Sequence, residues 1–197
     1  MITLNNIKKT FRSKGNKVEA LKGVTLTLPD NGIVILLGES GSGKSTLLNA
    51  LGGLDSYEGS IDYGTERAHG DSINKFDEYR RLNIGYIFQD FYLNDDLSVV
   101  DNIRQGLQIV GITEEAEVKK RTNQALFAVS MSLFKKRLCS QLSLGQKQRI
   151  AIARSLAINP KIILADEPTG NLDSKNSQQI MRILKKISSN MLVVIVS

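Results

Sequence analysis

Gly38-Glu39-Ser40-Gly41-Ser42-Gly43-Lys44-Ser45 follows the pattern G-x-x-x-x-G-K-[ST]. Glycines at these intervals let the backbone curl so that successive N–H groups converge on phosphate oxygens, and a following helix adds its positive end. Lys44 is then placed to reach the β- and γ-phosphates of a nucleotide, and the Ser45 hydroxyl to ligate Mg²⁺. Thr46, which opens the expected helix, completes the phosphate-binding set. Farther along, Ile162-Ile163-Leu164-Ala165 runs into Asp166-Glu167. Two adjacent carboxylates repel each other unless a cation stands nearby. Asp166 suits holding Mg²⁺ through its water shell, and Glu167 suits polarising the water that attacks the γ-phosphate. An acid at a strand end is otherwise a cap or a surface charge; the phosphate loop upstream makes catalysis the better reading.

A third stretch, Leu142-Ser143-Leu144-Gly145-Gln146, reads by itself as a helix start with Ser143 as N-cap. It also resembles the LSGGQ signature of ABC ATPases, and Lys147-Gln148-Arg149-Ile150-Ala151-Ile152-Ala153-Arg154 continues as that family's signature helix does. The resemblance implies that ATP and Mg²⁺ are the ligands. It also implies that Ser143, Gly145 and Gln146 meet the γ-phosphate held by the P-loop of a second such domain. It assigns Gln89, after Tyr86-Ile87-Phe88, to Mg²⁺, water and the coupling of the helical lobe to nucleotide. Asp173 of Gly170-Asn171-Leu172-Asp173 is placed at the dimer seam, and Phe11 on the adenine ring. Judged without the resemblance, a glutamine after a strand is common, Asp173 beside Ser174 equally suits a helix start, and Phe11 equally suits packing. The sequence departs from the family at Leu144, which stands at the first signature glycine. Leucine keeps the N–H and accepts helical φ but needs room where two backbones approach.

These residues need elements to hold them. Ile2–Ile7 and Val24–Leu28 alternate apolar and polar residues and predict antiparallel edge strands. Ile33–Leu37 runs apolar without alternation, which predicts a strand buried on both faces just before the glycine-rich loop. A helix is expected over Thr46–Leu54, and buried strands over Ile84–Phe88, Ile162–Ala165 and Met191–Val196. Ser98 to Asp101 has the spacing of a capping box, and Ser143 opens a helix through Ala157 that Asn159-Pro160 closes. Ile180, Ile183, Leu184 and Ile187 mark one face of another helix. Strands alternating with helices predict an α/β P-loop core with a mostly parallel sheet, an N-terminal antiparallel β subdomain and an inserted helical lobe. We divide the single domain 1–197 into core segments 1–89 and 158–197 and a lobe at 90–157.

The longest apolar runs are far shorter than the roughly 20 residues of a membrane-spanning helix, and the start MITLNNIKKT is too polar for a signal peptide. One cysteine, Cys139, rules out an internal disulfide and fits a reducing compartment. The net charge of +6 raises nucleic acid as a partner, but Lys119-Lys120-Arg121 and Lys135-Lys136-Arg137 lack interleaved aromatics and read as solvated faces. The expected function is therefore the ATPase motor of an ABC transporter. It would act as a dimer, driving a transmembrane permease from the cytoplasmic face of the membrane, with no nucleic-acid partner. The competing reading is a soluble ABC ATPase acting on ribosomes or DNA, although the long coiled-coil or zinc-bearing insertions of DNA-repair members are missing. An inactive regulator is disfavoured because Lys44, Ser45, Asp166 and Glu167 are all present. Leu51-Gly52-Gly53-Leu54-Asp55, the Tyr86–Asp90 region and Gly170–Ser174 resemble the lipoprotein-release and macrolide- or peptide-export branch. The family's switch histidine follows the last strand by one or two residues, and His69 lies too far upstream to serve. The sequence is thus expected to be shortened at its C-terminus, just before that histidine, and to hydrolyse ATP weakly.

Overall fold

The computed structural model describes residues 1–13, 16–70 and 76–197. Strands β1 (Ile2–Ser13) and β2 (Asn16–Leu28) form a long antiparallel ribbon, and β3 (Gly32–Leu36) leads into the glycine-rich loop and α1 (Lys44–Leu51). Next come β4 (Glu58–Asp62), β5 (Arg67–His69), α2 (Asp77–Asn83) and β6 (Ile84–Ile87). The segment that follows is helical: α3 (Val99–Ile109), α4 (Glu115–Ala128), two short 3-10 turns and α5 (Leu144–Ala157). The chain then returns to β7 (Ile162–Asp166), α6 (Ser174–Ile187) and β8 (Leu192–Val196). One sheet is antiparallel, in the order β2-β1-β4-β5; the other is parallel, in the order β3-β8-β7-β6.

The two inner strands of the parallel sheet carry its core. Along β7 and β8, side chains alternate between two apolar clusters, as successive residues of a strand must. Ile163, Ala165, Val193 and Ile195 join α3, α4, α5 and α6 on one face. Ile162, Leu164, Leu192, Val194 and Val196 join α1 and the antiparallel sheet on the other. Because the strands are parallel, their C-terminal ends open on one edge, and in such sheets ligands bind beyond that edge. The glycine-rich loop follows β3 there, Gln89 follows β6 and Glu167 follows β7.

The structure departs from sequence expectation in several places. The strand expected at Ile33–Leu37 is not buried on both faces: β3 lies at an edge of the parallel sheet, and Ile35 is 47% exposed. β1 is internal rather than an edge, because β4 pairs onto its other side. The ribbon also runs farther than the apolar alternation, since cross-strand pairing carries Lys8–Arg12 along through register shifts. The first helix begins at Lys44 and stops at Leu51, where Gly52 and Gly53 terminate it. β4, β5 and α2 carry too little apolar periodicity to stand out in the sequence.

Candidate nucleotide-binding site

The glycine-rich loop is held open by its own lysine. Lys44 Nζ donates to the carbonyls of Gly38 at 2.8 Å and Glu39 at 2.9 Å, while Ser42 N donates to Glu39 O at 3.2 Å. Gly43 caps α1 from the left-handed region, with φ of 90°. A Cβ at that position would also lie 2.5 Å from the Ala20 carbonyl oxygen, so β2 presses on the loop and only glycine fits. Ser40, Gly41, Gly43, Lys44, Ser45, Thr46 and Glu167 line one cavity of about 180 Å³.

The carboxylates meet this loop from β7. Ser45 Oγ donates to Asp166 Oδ1 at 3.0 Å, bringing together two residues 121 positions apart. Glu167 leaves the strand with φ of 42°, a conformation that a non-glycine residue rarely adopts. Its amide donates to Val196 O at 3.0 Å, and Gly170 N donates back to its carbonyl at 3.0 Å, a clasp that holds the turn. Gln89 stands close by. A Cβ on Gly170 would sit 3.3 Å from both Gln89 Nε2 and Glu167 Oε2, so the two side-chain tips flank one glycine. Asn171 Nδ2 also donates to Gln89 O at 3.3 Å. Tyr86 was not singled out for the site by the sequence, yet its hydroxyl donates to Asn49 Oδ1 at 2.7 Å. Burial first, and the charge of Asp166 second, hold that phenol above its usual pKa.

The remaining sequence-predicted residues stand apart from the cavity. Ser143 caps α5 in a capping box: Gln146 N donates to its Oγ at 3.4 Å, and Gln146 Oε1 accepts from Ser143 N at 3.0 Å. Leu144, next to it, is 54% exposed, and Gly145 is buried. Asp173 caps α6, accepting from Asn176 N at 2.9 Å. Phe11 on β1 is 44% exposed with the Lys9 ammonium 5.1 Å from its ring centre, and it does not line the cavity. None of Ser143, Gly145, Gln146 and Asp173 lines it either. Asn176 escaped notice in the sequence, although Asp173-Ser174-Lys175-Asn176 has the spacing of a side-chain cap to the third residue onward.

The donor set fits its expected ligands. A loop of amides and a lysine suits phosphate oxygens, and a hydroxyl touching a carboxylate suits a hard cation that takes oxygen ligands. Strand, glycine-rich loop and helix, in one parallel sheet with a strand ending in paired acids, define a P-loop nucleotide-binding protein. The chain belongs to the ABC transporter family, whose model matches residues 21–170. It is an ATP-binding domain of that family. It is 40% identical over 193 residues to the ABC transporter ATP-binding protein MJ0796 of Methanocaldococcus jannaschii, covering 95% of this chain and 82% of that one. The lipoprotein-releasing system ATP-binding protein LolD of Treponema denticola is 37% identical over 185 residues, covering 93% and 81%. The macrolide export ATP-binding/permease protein MacB of Chlorobaculum tepidum is 39% identical over 189 residues, covering 93% of this chain and 28% of that protein. The fold matches a dimeric post-hydrolysis structure of MJ0796 bound to ADP and Pi, with TM-score 0.87 and 38% identity over 100% of this chain and 88% of that one.

Proposed function

We propose that this chain is the Mg²⁺-dependent ATPase motor of a membrane transporter, working as a head-to-tail dimer with two composite ATP sites. One observation carries the reading: Lys44, Ser45 and Glu167 line a single cavity, whereas Ser143 and Gln146, whose helix start also suits an anion, do not. A signature that lies outside the cavity of its own phosphate loop has its use in the site of another subunit. The dimeric form of the related MJ0796 with ADP and Pi supports this.

In such a site Lys44 holds the β- and γ-phosphates, and Ser45 and Asp166 hold Mg²⁺, which when bound neutralises phosphate charge. Glu167 accepts a proton from the attacking water, and Gln89, sharing Gly170 with it, orients that water. Phe11 offers a ring face to adenine. A groove of about 540 Å³ between core and helical segment includes Leu54, Phe88, Tyr92 and Ile109, of which Tyr92 is 65% and Ile109 69% exposed. Its lining includes Phe88, one residue before Gln89, which supports it as the place where a permease senses nucleotide. No helix among the described residues is long and apolar enough to cross a membrane, so the permease is another segment or another chain, with this domain at the cytoplasmic face. The LolD and MacB relatives support a permease partner of the lipoprotein-release or macrolide-export kind.

Glu167→Gln tests the chemistry. The amide keeps the shape and loses the base, so nucleotide affinity should stay near normal while turnover falls by about 10²- to 10⁴-fold. Calorimetric binding and steady-state phosphate release measure the two separately. Near-normal turnover would move the base elsewhere.

A further inference from the structure

The start of α5 lies against the start of α6 where Gly145 meets Asn176. Gly145 is buried in the first turn of α5, and a Cβ there would lie 2.3 Å from Asn176 Oδ1. Such a separation is impossible for real atoms, so the Asn176 carboxamide occupies the space that any larger residue at 145 would need. The rest of Asn176 is engaged with Asp173: its Nδ2 donates to Asp173 Oδ2 at 2.6 Å and its backbone N to Asp173 Oδ1 at 2.9 Å. Both oxygens of Asp173 are therefore held by one residue. The Asn176 backbone bond first, and its side-chain bond second, keep that carboxyl below its usual range. Contact thus passes from Gly145, two residues after Ser143, through Asn176 to Asp173. One end belongs to the helical segment before β7 and the other to the loop that follows β7.

We propose that Asn176 is a positioning residue: its carboxamide is the spacer that fixes the start of α5 against the loop preceding α6, so that Ser143 and Asp173 face the second subunit at a set separation. This rests on the two-subunit reading above. The chemistry suits asparagine, because the spacer must donate to a carboxylate one turn back and present a slim acceptor to a glycine Cα. Aspartate would set two carboxylates against each other, and alanine would withdraw the two atoms nearest a Cβ at 145 and leave only its own Cβ there.

A double-mutant cycle in the full-length protein tests it, with Asn176→Ala, Gly145→Ala and the pair. Asn176→Ala touches no residue of the ATP cavity, so binding of a fluorescent ATP analogue should stay within about two-fold while kcat drops about ten-fold at unchanged KM, a coupling typical of touching residues. Gly145→Ala should be at least as damaging alone. The pair should be less damaging than Gly145→Ala alone, because the two closest atoms, Asn176 Oδ1 at 2.3 Å and Cγ at 2.6 Å, are gone and only the Cβ at 3.1 Å remains. A merely structural weakening at two sites would add instead of cancelling. Asn176→Asp, equal in size, should match Asn176→Ala near neutral pH. Unchanged kcat in Asn176→Ala, wild-type behaviour in Asn176→Asp, or an undiminished Gly145→Ala penalty in the pair would overturn the assignment. Wild-type turnover per subunit that is flat with protein concentration would instead overturn the two-subunit reading beneath it.

Discussion

Lys44 is held in readiness by carbonyls of its own loop. Its ammonium sits 2.8 and 2.9 Å from the Gly38 and Glu39 oxygens, a pose that keeps the loop from collapsing and leaves a donor for phosphate. Replacing Lys44 with Ala removes both side-chain ties to the loop carbonyls and the loop's one positive charge. ATP affinity should fall by at least about ten-fold, or about 1.4 kcal/mol, the low end of what a charge-assisted hydrogen bond contributes. Calorimetry against Mg-ATP gives the answer, and unchanged affinity would refute the phosphate cradle. Residues of this kind were legible in the sequence because the chemistry packs them into consecutive positions: amides, lysine and hydroxyl share eight residues, and the two acids are neighbours. Asn176 was not legible as a contact of Gly145. That pairing exists only once two helices separated by a whole strand have been brought together, and nothing local to either residue announces it.

Elements were legible in proportion to how much of their pattern is set by burial. α5 and α6 were found because caps open them and apolar residues recur on one face; β7 and β8 because their own residues, Asp166 apart, form unbroken buried apolar runs. β4 was missed because Ile61 is its only buried side chain, and its strand state comes from pairing with β1 instead of from its own residues. The expected double burial of β3 failed for the opposite reason: an apolar run reports what a strand is made of, and its place in the sheet order decides what covers it. α6 turns such burial into function, since its start carries the Asp173 loop. Ile180 and Leu184, one turn apart, anchor it to the sheet at 1% and 0% exposure. Leu184→Ala should cost about 2–5 kcal/mol of stability, and the exposed Lys175→Ala on the same helix no more than about 0.5 kcal/mol. Urea unfolding followed by circular dichroism separates the two, and equal midpoints would mean that α6 is not anchored through that face.

At the scale of the whole molecule, the cavity and the signature are separate, since Ser143 does not line the pocket that holds Lys44, Ser45 and Glu167. In the two-subunit reading proposed above, Lys44, Ser45 and Glu167 serve the subunit's own ATP, whereas Ser143 completes the site of its neighbour. In a two-fold dimer each contact occurs twice, residue i of one subunit on residue j of the other and the converse. A Lys44→Ala subunit therefore lacks a phosphate loop but still lends a good signature, and a Ser143→Ala subunit lacks a signature but still holds ATP. Each variant alone should be nearly inactive, because both of its composite sites carry the defect. Mixed in equal amounts and allowed to exchange, half of the dimers contain one subunit of each kind. Each of these has one site with both defects and one with none. If sites turn over independently, about one quarter of wild-type activity should return on mixing, set by random pairing in a symmetric dimer. Steady-state ATPase assays on the mixture and on each variant alone are sufficient. A mixture no more active than the mean of its components would show that Ser143 acts within its own chain, or that neither residue belongs to a shared site.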